Sequence, residues 1–513
     1  MVKIKKALIS VYHKDGIVEF ARGLHKLGIE IISTGKTAKL LKKNKIPVTT
    51  VEEYTGFPEI LDNRVKTLHP KIHAGILAVR KNRKHMKQLK KLNIPLIDIV
   101  VVNLYPLKEV IHKKGVKLKE VLENTDIGGP TMLRAAAKNF KDVIVIIDPR
   151  DYNMVLQELK KGDLSFDKRM WLAAKIFENT SRYDAFFQSY MVDVVKEYKL
   201  PELFNLPLKK IRDLRYGENP FQQAAFYTCG RVSETCVTNS KQLHGKELSF
   251  NNIMDIDAAF QLIKEFDEPT ASIIKHTNPC GVASRKKIED AFKAAHEADT
   301  TAAYGSIIAL NKKCNMATAK LLRPLFAECI IAPSFDKDAL KLLKEKRNLR
   351  ILETGPISKE VHGYSMKKVT EGMLIQTKEY PRLVKKKLRV VSIRKPTKKE
   401  IEDMIFAWRV NIHVKSNSIV FAKDKVAVGI GAGQMSRVDA VRIARFKAST
   451  QAHGSVMASD AFFPFKDGID VAAQAGVIGV IQPGGSIRDQ EVIDAVNQHN
   501  MSMVFTGFRI FRH

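Results

Sequence analysis

What this chain lacks removes several classes of protein. Its five cysteines, Cys229, Cys236, Cys280, Cys314 and Cys329, form no C-x-x-C pair. That excludes a zinc ribbon or disulfide framework and points to reducing cytosol, hence a cytoplasmic location. No run of about 18 apolar residues occurs, so no membrane span is expected. The apolar run Ala7–Val11 behind Met-Val-Lys-Ile-Lys-Lys is too short for a signal peptide. Low-complexity tracts are missing, and no internal repeat is legible. Acidic residues are in deficit, 55 against 86 Lys and Arg, for a net charge of +31. Such a balance suits phosphate neutralisation on nucleic acid. Yet the lysines are spread along the whole chain, with no basic tail and no aromatic-interleaved RNA-binding motif. A lysine-rich solvated surface is the preferred reading, its field favouring anionic substrates. The competing reading, a nucleic-acid-binding protein on a vestigial enzyme fold, predicts salt-sensitive RNA binding without turnover.

What is present is the composition of a globular protein: 513 residues, 45% hydrophobic and 27% charged, enough for two to four domains. Residues 4–51 alternate between strand and helix patterns. Lys5–Val11, Glu30–Ser33 and Val48–Val51 read as strands; Ile17, Phe20, Ala21 and Leu24 recur at helical spacing before Gly28, and Thr37–Lys43 is a second helix. Ile97–Asn103 and Asp142–Ile147 add buried strands, with a helix opening at Gly128-Gly129-Pro130. The alternation predicts a parallel α/β sheet, whose ligands gather at the carboxyl ends of strands, where Ser10, Ser33, Thr34 and Asn103 lie. Pro201 and Pro207 interrupt helical patterning near 198–212, which is expected to be a linker between domains 1–197 and 213–513.

Four motifs invite familiar chemistry, and three fail. Gly35-Lys36-Thr37 lacks the earlier glycine of a phosphate-binding P-loop, since position 30 is Glu; a helix start able to hold a monophosphate remains. Gly429-Ile-Gly431-Ala-Gly433-Gln434 ends in Gln where a dinucleotide fingerprint needs a small residue. Pro279-Cys280 lacks the second cysteine of a zinc deaminase, position 283 being Ala. The fourth is Ile273–Gly281. A buried strand delivers Lys275-His276 into an expected Asn-Pro-x-Gly turn, and the pair suits proton transfer. Read alone, it is equally a satisfied histidine beside a solvated lysine. Arg64, Lys66 and Thr67 before His69-Pro70, and Asp126 beside Gly128 with Lys138 further along that helix, are likewise either ligand-binding loops or plain turns.

Taken together these segments resemble the bifunctional purine-biosynthesis family that joins AICAR formyltransferase to IMP cyclohydrolase. The matching motifs run from Ala7-Leu-Ile-Ser-Val through Arg64-Val-Lys-Thr-Leu-His-Pro, Asp126-Ile-Gly-Gly-Pro, Leu214-Arg-Tyr-Gly-Glu-Asn-Pro, Lys275-His276 and Ser459-Asp-Ala-Phe-Phe-Pro-Phe to Phe508-Arg-Ile-Phe. The resemblance implies an α/β protein: an N-terminal parallel-sheet domain of methylglyoxal-synthase type, then a larger formyltransferase region of two deaminase-like subdomains. It implies Lys66, Tyr105, Asp126 and Lys138 as proton handlers of ring closure, with Ser10, Lys14, Thr34, Gly35, Thr37, Arg64, Thr67 and Gly128 around the ribotide. For formyl transfer it implies Lys275 and His276 as catalytic, Arg215, Tyr216, Asn252, Asn417 and Arg509 on the ribotide, and Phe462, Phe463 and Asp467 near folate. It further implies 10-formyltetrahydrofolate as co-substrate, no transition metal, room for a monovalent cation, and a homodimer. Lys36, Phe140 and Phe221 depart from the family pattern. Phe221 replaces a histidine, which raises the alternative that only one activity is live.

Overall fold

The computed structural model describes residues 4–111, 113, 115–195, 200–229, 234–358, 363–378 and 381–513. The chain divides into two compact units, Met1–Pro207 and Leu208–His513. The expected end of the first domain and head of the linker, at 197–199, lie outside the described residues.

In the first unit, β1 (Lys6–Val11), β2 (Glu30–Ser33), β3 (Thr49–Thr50), β4 (Ile99–Asn103) and β5 (Ile144–Ile146) form a parallel sheet ordered β3-β2-β1-β4-β5. Every residue of β4 is buried, as expected for a strand covered by helices on both faces. The helix Ile17–Lys26 turns Ile17, Phe20, Ala21 and Leu24 inward. The helix expected from Thr37 begins already at Gly35, with Thr34 as its N-cap. Strand order reverses between β1 and β4, and the crevice at such a switch point is where open α/β sheets bind ligands.

In the second unit, β6 (Leu208–Leu214) and β7 (Ala224–Cys229) form a separate hairpin. A 12-stranded sheet carries the rest. Its first half contains β8 (Lys241–His244), β9 (Thr270–Lys275), β10 (Asn278–Ser284), β11 (Ser306–Leu310), β12 (Ala327–Ala332) and β13 (Arg350–Glu353). A further hairpin follows, β14 (Tyr364–Val369) and β15 (Gly372–Thr377). The second half contains β16 (Arg389–Val390), β17 (Ile419–Lys423), β18 (Val426–Gly431), β19 (Val456–Ser459), β20 (Gly479–Gln482) and β21 (Ser502–Phe505).

The two halves are the same arrangement twice. Each has an antiparallel hairpin (β9–β10, β17–β18), then three mutually parallel strands (β11–β13, β19–β21), then an antiparallel edge strand (β8, β16). The sequence reading found no repeat, and the structure corrects it. Gly281 shows why the duplication is physical: an added Cβ would lie 2.0 Å from the Ala295 carbonyl, and at Gly429 it would lie 2.2 Å from the Ala444 carbonyl. Of the glycines that mimic a dinucleotide fingerprint, Gly429 and Gly431 are therefore close-packing glycines, whereas Gly433 takes a positive φ of 66° with open space around it. Strands β10 and β18 join the halves in antiparallel sense. The hairpin turn of one half consequently lies at the same end of the sheet as the strand C-termini of the other.

Candidate active sites

The first site grows from the carboxyl ends of β1, β2 and β4. Asn103 ties two of them together, accepting from the Tyr12 N–H at 2.5 Å and donating to the His13 carbonyl at 3.0 Å. Ser10 and Thr34 hydroxyls meet at 2.9 Å, and Lys14 donates to the Thr37 hydroxyl at 2.8 Å. Burial, then the charge of Lys36, hold the Lys14 pKa below its usual value. These residues surround the N-terminus of the helix Gly35–Lys43, where free N–H groups and the helix dipole favour an anion.

Lys66 reaches into the same place. Its Nζ stands 3.9 Å from Glu59 and 3.9 Å from where a Cβ on Gly35 would sit. Asp126 accepts the Gly129 N–H at 2.9 Å, and its own N–H donates to the Tyr183 hydroxyl at 2.7 Å. Burial pushes the Asp126 carboxyl above its usual range; the Gly129 N–H, the Lys66 charge and the Tyr105 N–H pull the other way. Burial also raises the Tyr105 phenol, and the Asp126 charge adds to it. Gly128 lets this helix start approach Thr67, whose hydroxyl would lie 2.6 Å from any added Cβ. A lysine, a phenol and a carboxyl thus share one crevice.

Two expected members stand apart. Arg64 turns to an exposed ion pair with Glu123. Lys138 is exposed at the far end of the helix Gly128–Lys138, roughly 15 Å from its start at 1.5 Å per residue. The sequence reading assigned no role to Glu59, which closes the motif Thr55-Gly-Phe-Pro-Glu, or to Tyr183, which lies outside any local motif.

In the second unit the turn carrying Lys275-His276 differs from expectation. Asn278–Gly281 is strand with a bulge after Pro279, and the turn is the two-residue loop His276-Thr277. Both loop residues have positive φ, 52° and 61°. Asp255 decides this, accepting the Thr277 N–H at 2.7 Å. Lys275 is half-buried and donates to the Tyr304 carbonyl at 2.9 Å, while His276 is exposed.

At the same end of the sheet, Asn278 accepts the Lys415 N–H at 3.1 Å. Beyond it, Asn417 donates to the Gln434 carbonyl at 3.0 Å and accepts from Arg437 at 2.8 Å; Arg437 also grips the buried Asp460. Phe462 is 41% exposed, but Phe463 is fully buried against Gly468, so its ring offers folate no surface. Asp467 begins the next helix and accepts the Gly468 N–H at 2.7 Å. Arg509 is exposed and stacks on Phe511 at 4.8 Å.

Arg215 lies in the wall of a cavity that also includes Phe326, whose ring is 4.9 Å from that of Tyr304 beside Lys275. Arg215 donates to the Tyr216 hydroxyl at 2.8 Å and lines this cavity of about 870 Å³ with Tyr216, Asn252, Lys246, Arg347 and Arg350. The cavity is large enough for a small anionic ligand, and its lining carries more basic than acidic side chains. Asn252 is committed to a reciprocal cap with Ser249. Among the described residues, no hydrogen bond or ring contact joins Arg215 to Arg509.

A family model described as AICARFT/IMPCHase bienzyme matches residues 136–447, and one described as MGS-like domain matches 16–131. The bifunctional purine biosynthesis protein PurH of Caldicellulosiruptor saccharolyticus is 54% identical over 512 residues, covering 99% of this chain and 100% of that protein. The chain belongs to the AICARFT/IMPCHase bienzyme family. The proteins of the same name from Acetivibrio thermocellus and Bacillus subtilis are 52% and 49% identical, each again covering 99% of this chain and 100% of its own length. An MGS-like domain fits the parallel sheet, and the bienzyme is a two-step enzyme of purine biosynthesis, forming FAICAR and then IMP. Its formyltransferase activity requires a formyl-folate co-substrate beside the ribotide. Of the departures from the family pattern, Phe221 is 85% exposed, Lys36 is exposed, and Phe140 packs on Phe166 at 5.4 Å.

Proposed function

We propose that cyclisation takes place in the β1/β2/β4 crevice and formyl transfer at the Lys275-His276 end of the 12-stranded sheet. The first assignment is carried by Lys66, which stands between Glu59, Asp126 and the phosphate-type turn at Gly35. Ring closure needs the carboxamide nitrogen held on the formyl carbon, an entropic gain of up to about 7–11 kcal/mol in well-oriented cases. The helix start anchors the ribotide. Lys66 stabilises the developing oxyanion, and Asp126 and Tyr105 handle the protons on the way to loss of water. Lys138, remote from this group, is assigned no proton.

In formyl transfer the 5-amine of AICAR is a weak nucleophile, its lone pair being delocalised into the ring. His276 takes its proton, and Lys275 stabilises the oxyanion on the formyl carbon or returns a proton to the leaving folate nitrogen. The co-substrate in this reading is 10-formyltetrahydrofolate. Arg215 and Tyr216 grip the phosphate in the basic cavity, with Arg509 supplied across a homodimer; exposed Met435 and Phe446 favour such an interface. The division of labour follows the two units, and we place the enzyme in the cytoplasm; among the described residues no helix is long and apolar enough to cross a membrane.

The test feeds the purified protein AICAR and 10-formyltetrahydrofolate and follows tetrahydrofolate and IMP separately. Lys66→Ala is expected to release tetrahydrofolate normally while FAICAR accumulates. Unimpaired IMP formation would overturn the first assignment.

A further inference from the structure

A two-residue hairpin loop with both residues at positive φ favours Asn and Gly, because a Cβ crowds the neighbouring carbonyl there. Here the loop is His276-Thr277, and Thr is β-branched, which makes its φ of 61° an outlier. A backbone held in this way requires surrounding structure that over-determines it, and such positions cluster at functional sites. The holding group is identifiable. Asp255, on the helix Phe250–Ile263, accepts the Thr277 N–H at 2.7 Å, and the His276 N–H is directed at the same carboxylate.

The duplicated half contains the same device without the chemistry. Its hairpin loop is Asp424-Lys425, with φ of 52° and 55°. Asp403, on the helix Lys398–Asn411, accepts the Asp424 N–H at 3.0 Å and the Lys425 N–H at 2.7 Å. That loop ends in surface ion pairs to Lys399 and Glu268. The carboxylate therefore imposes this turn wherever the fold uses it. Only in the first half does the turn display a lysine and a histidine.

We infer that Asp255 is a positioning residue for formyl transfer: by anchoring the two loop N–H groups it fixes the direction in which Lys275 and His276 face the substrates. It touches no reacting atom. The inference rests on the assignment of that pair to formyl transfer, and Lys275→Ala separates the two ideas. If Lys275→Ala retains formyl transfer, the assignment fails. If it abolishes transfer while Asp255→Asn keeps kcat within twofold of wild type, only the positioning role fails.

An asparagine presents one acceptor oxygen and an N–H₂ group to two donors, so Asp255→Asn loosens the turn. The full-length enzyme is assayed with AICAR and 10-formyltetrahydrofolate, with FAICAR alone, and by thermal melting. Asp255→Asn is expected to lower kcat for formyl transfer about 100-fold, the usual scale for a displacement near 1 Å, with KM for AICAR within about threefold and cyclisation unchanged. Asp403→Asn is expected to lower the melting temperature similarly, with kcat within about twofold. Thr277→Gly, which adopts the turn without strain, is expected to restore at least about tenfold in the Asp255→Asn background. A kcat for Asp255→Asn within twofold of wild type would overturn the inference, as would an equal loss in Asp403→Asn or the absence of rescue. Should Asp255→Asn not fold, the Asp255→Asn/Thr277→Gly double variant replaces it, and a loss as deep as that of Lys275→Ala overturns the inference.

Discussion

The two halves of the 12-stranded sheet are built alike and display different side chains at their turns. Asp255, Lys275 and Gly281 of the first recur as Asp403, Lys423 and Gly429 of the second at one constant spacing along the chain. Even the lysine contacts repeat: Lys275 donates to the Tyr304 carbonyl at 2.9 Å and Lys423 to the His453 carbonyl at 3.0 Å. What differs is the company. Lys275 is followed by His276 and shares its end of the sheet with the Asn417–Arg437–Asp460 network. At the corresponding place beyond the other turn stands Asn311, which is spent on the Phe266 and Glu268 carbonyls and the Thr270 N–H. The backbone device is thus common property, and in the proposed assignment chemistry belongs to the end whose turn carries Lys275 and His276.

The largest expected effect tests this asymmetry directly. Lys275→Ala should cost formyl transfer about 10²–10⁴-fold with cyclisation intact, whereas Lys423→Ala should leave kcat unchanged and cost about 1 kcal/mol of stability, one hydrogen bond's worth. Equal activity losses in tetrahydrofolate release would break the comparison. Next, Gly281→Ala and Gly429→Ala each force a methyl onto a helix carbonyl at 2.0 and 2.2 Å, and should destabilise the second unit by about 1–3 kcal/mol apiece in denaturant titration. A large difference between them would show that the halves are not packed alike.

The smallest effect concerns pH. Burial, the leading influence on both, raises the Asp255 and Asp403 carboxyls above their usual range, against the pull of the loop N–H groups. A carboxyl whose folded pKa is raised binds its proton more tightly folded than unfolded, so its contribution to stability falls as pH rises through that window. The melting-temperature deficit of Asp403→Asn relative to wild type should therefore be greatest below about pH 4 and shrink toward neutrality. A deficit that grows with pH would mean that the N–H groups, not burial, dominate.

The first unit was largely legible in the sequence. Its core strand Ile99–Asn103 is a continuous apolar run, and the amphipathic spacing from Ile17 to Leu24 has one helical solution. Lys66, Asp126 and Tyr105 sit in recognisable motifs, and they converge because the switch point between β1 and β4 gathers strand ends. The roles of Glu59 and Tyr183 were not legible, since they come from contacts across the fold. Phe463 was read as a folate neighbour because motif position says nothing about burial, and the structure seals it against Gly468.

By itself the sequence determined the α/β class, the parallel N-terminal sheet and the family. These depend on local periodicity and on ordered motifs, which survive in one dimension. The tertiary structure alone decided where the turn falls at Lys275, since a carboxylate on another element, rather than Asn278-Pro279, sets the loop geometry. It alone revealed the duplication, because what repeats is backbone approach and two anchored turns, for which a few aspartates, lysines and glycines suffice. And it alone separated Lys138 and Phe463 from the groups they were expected to join: helix length and packing, not sequence distance, determine which side chains meet.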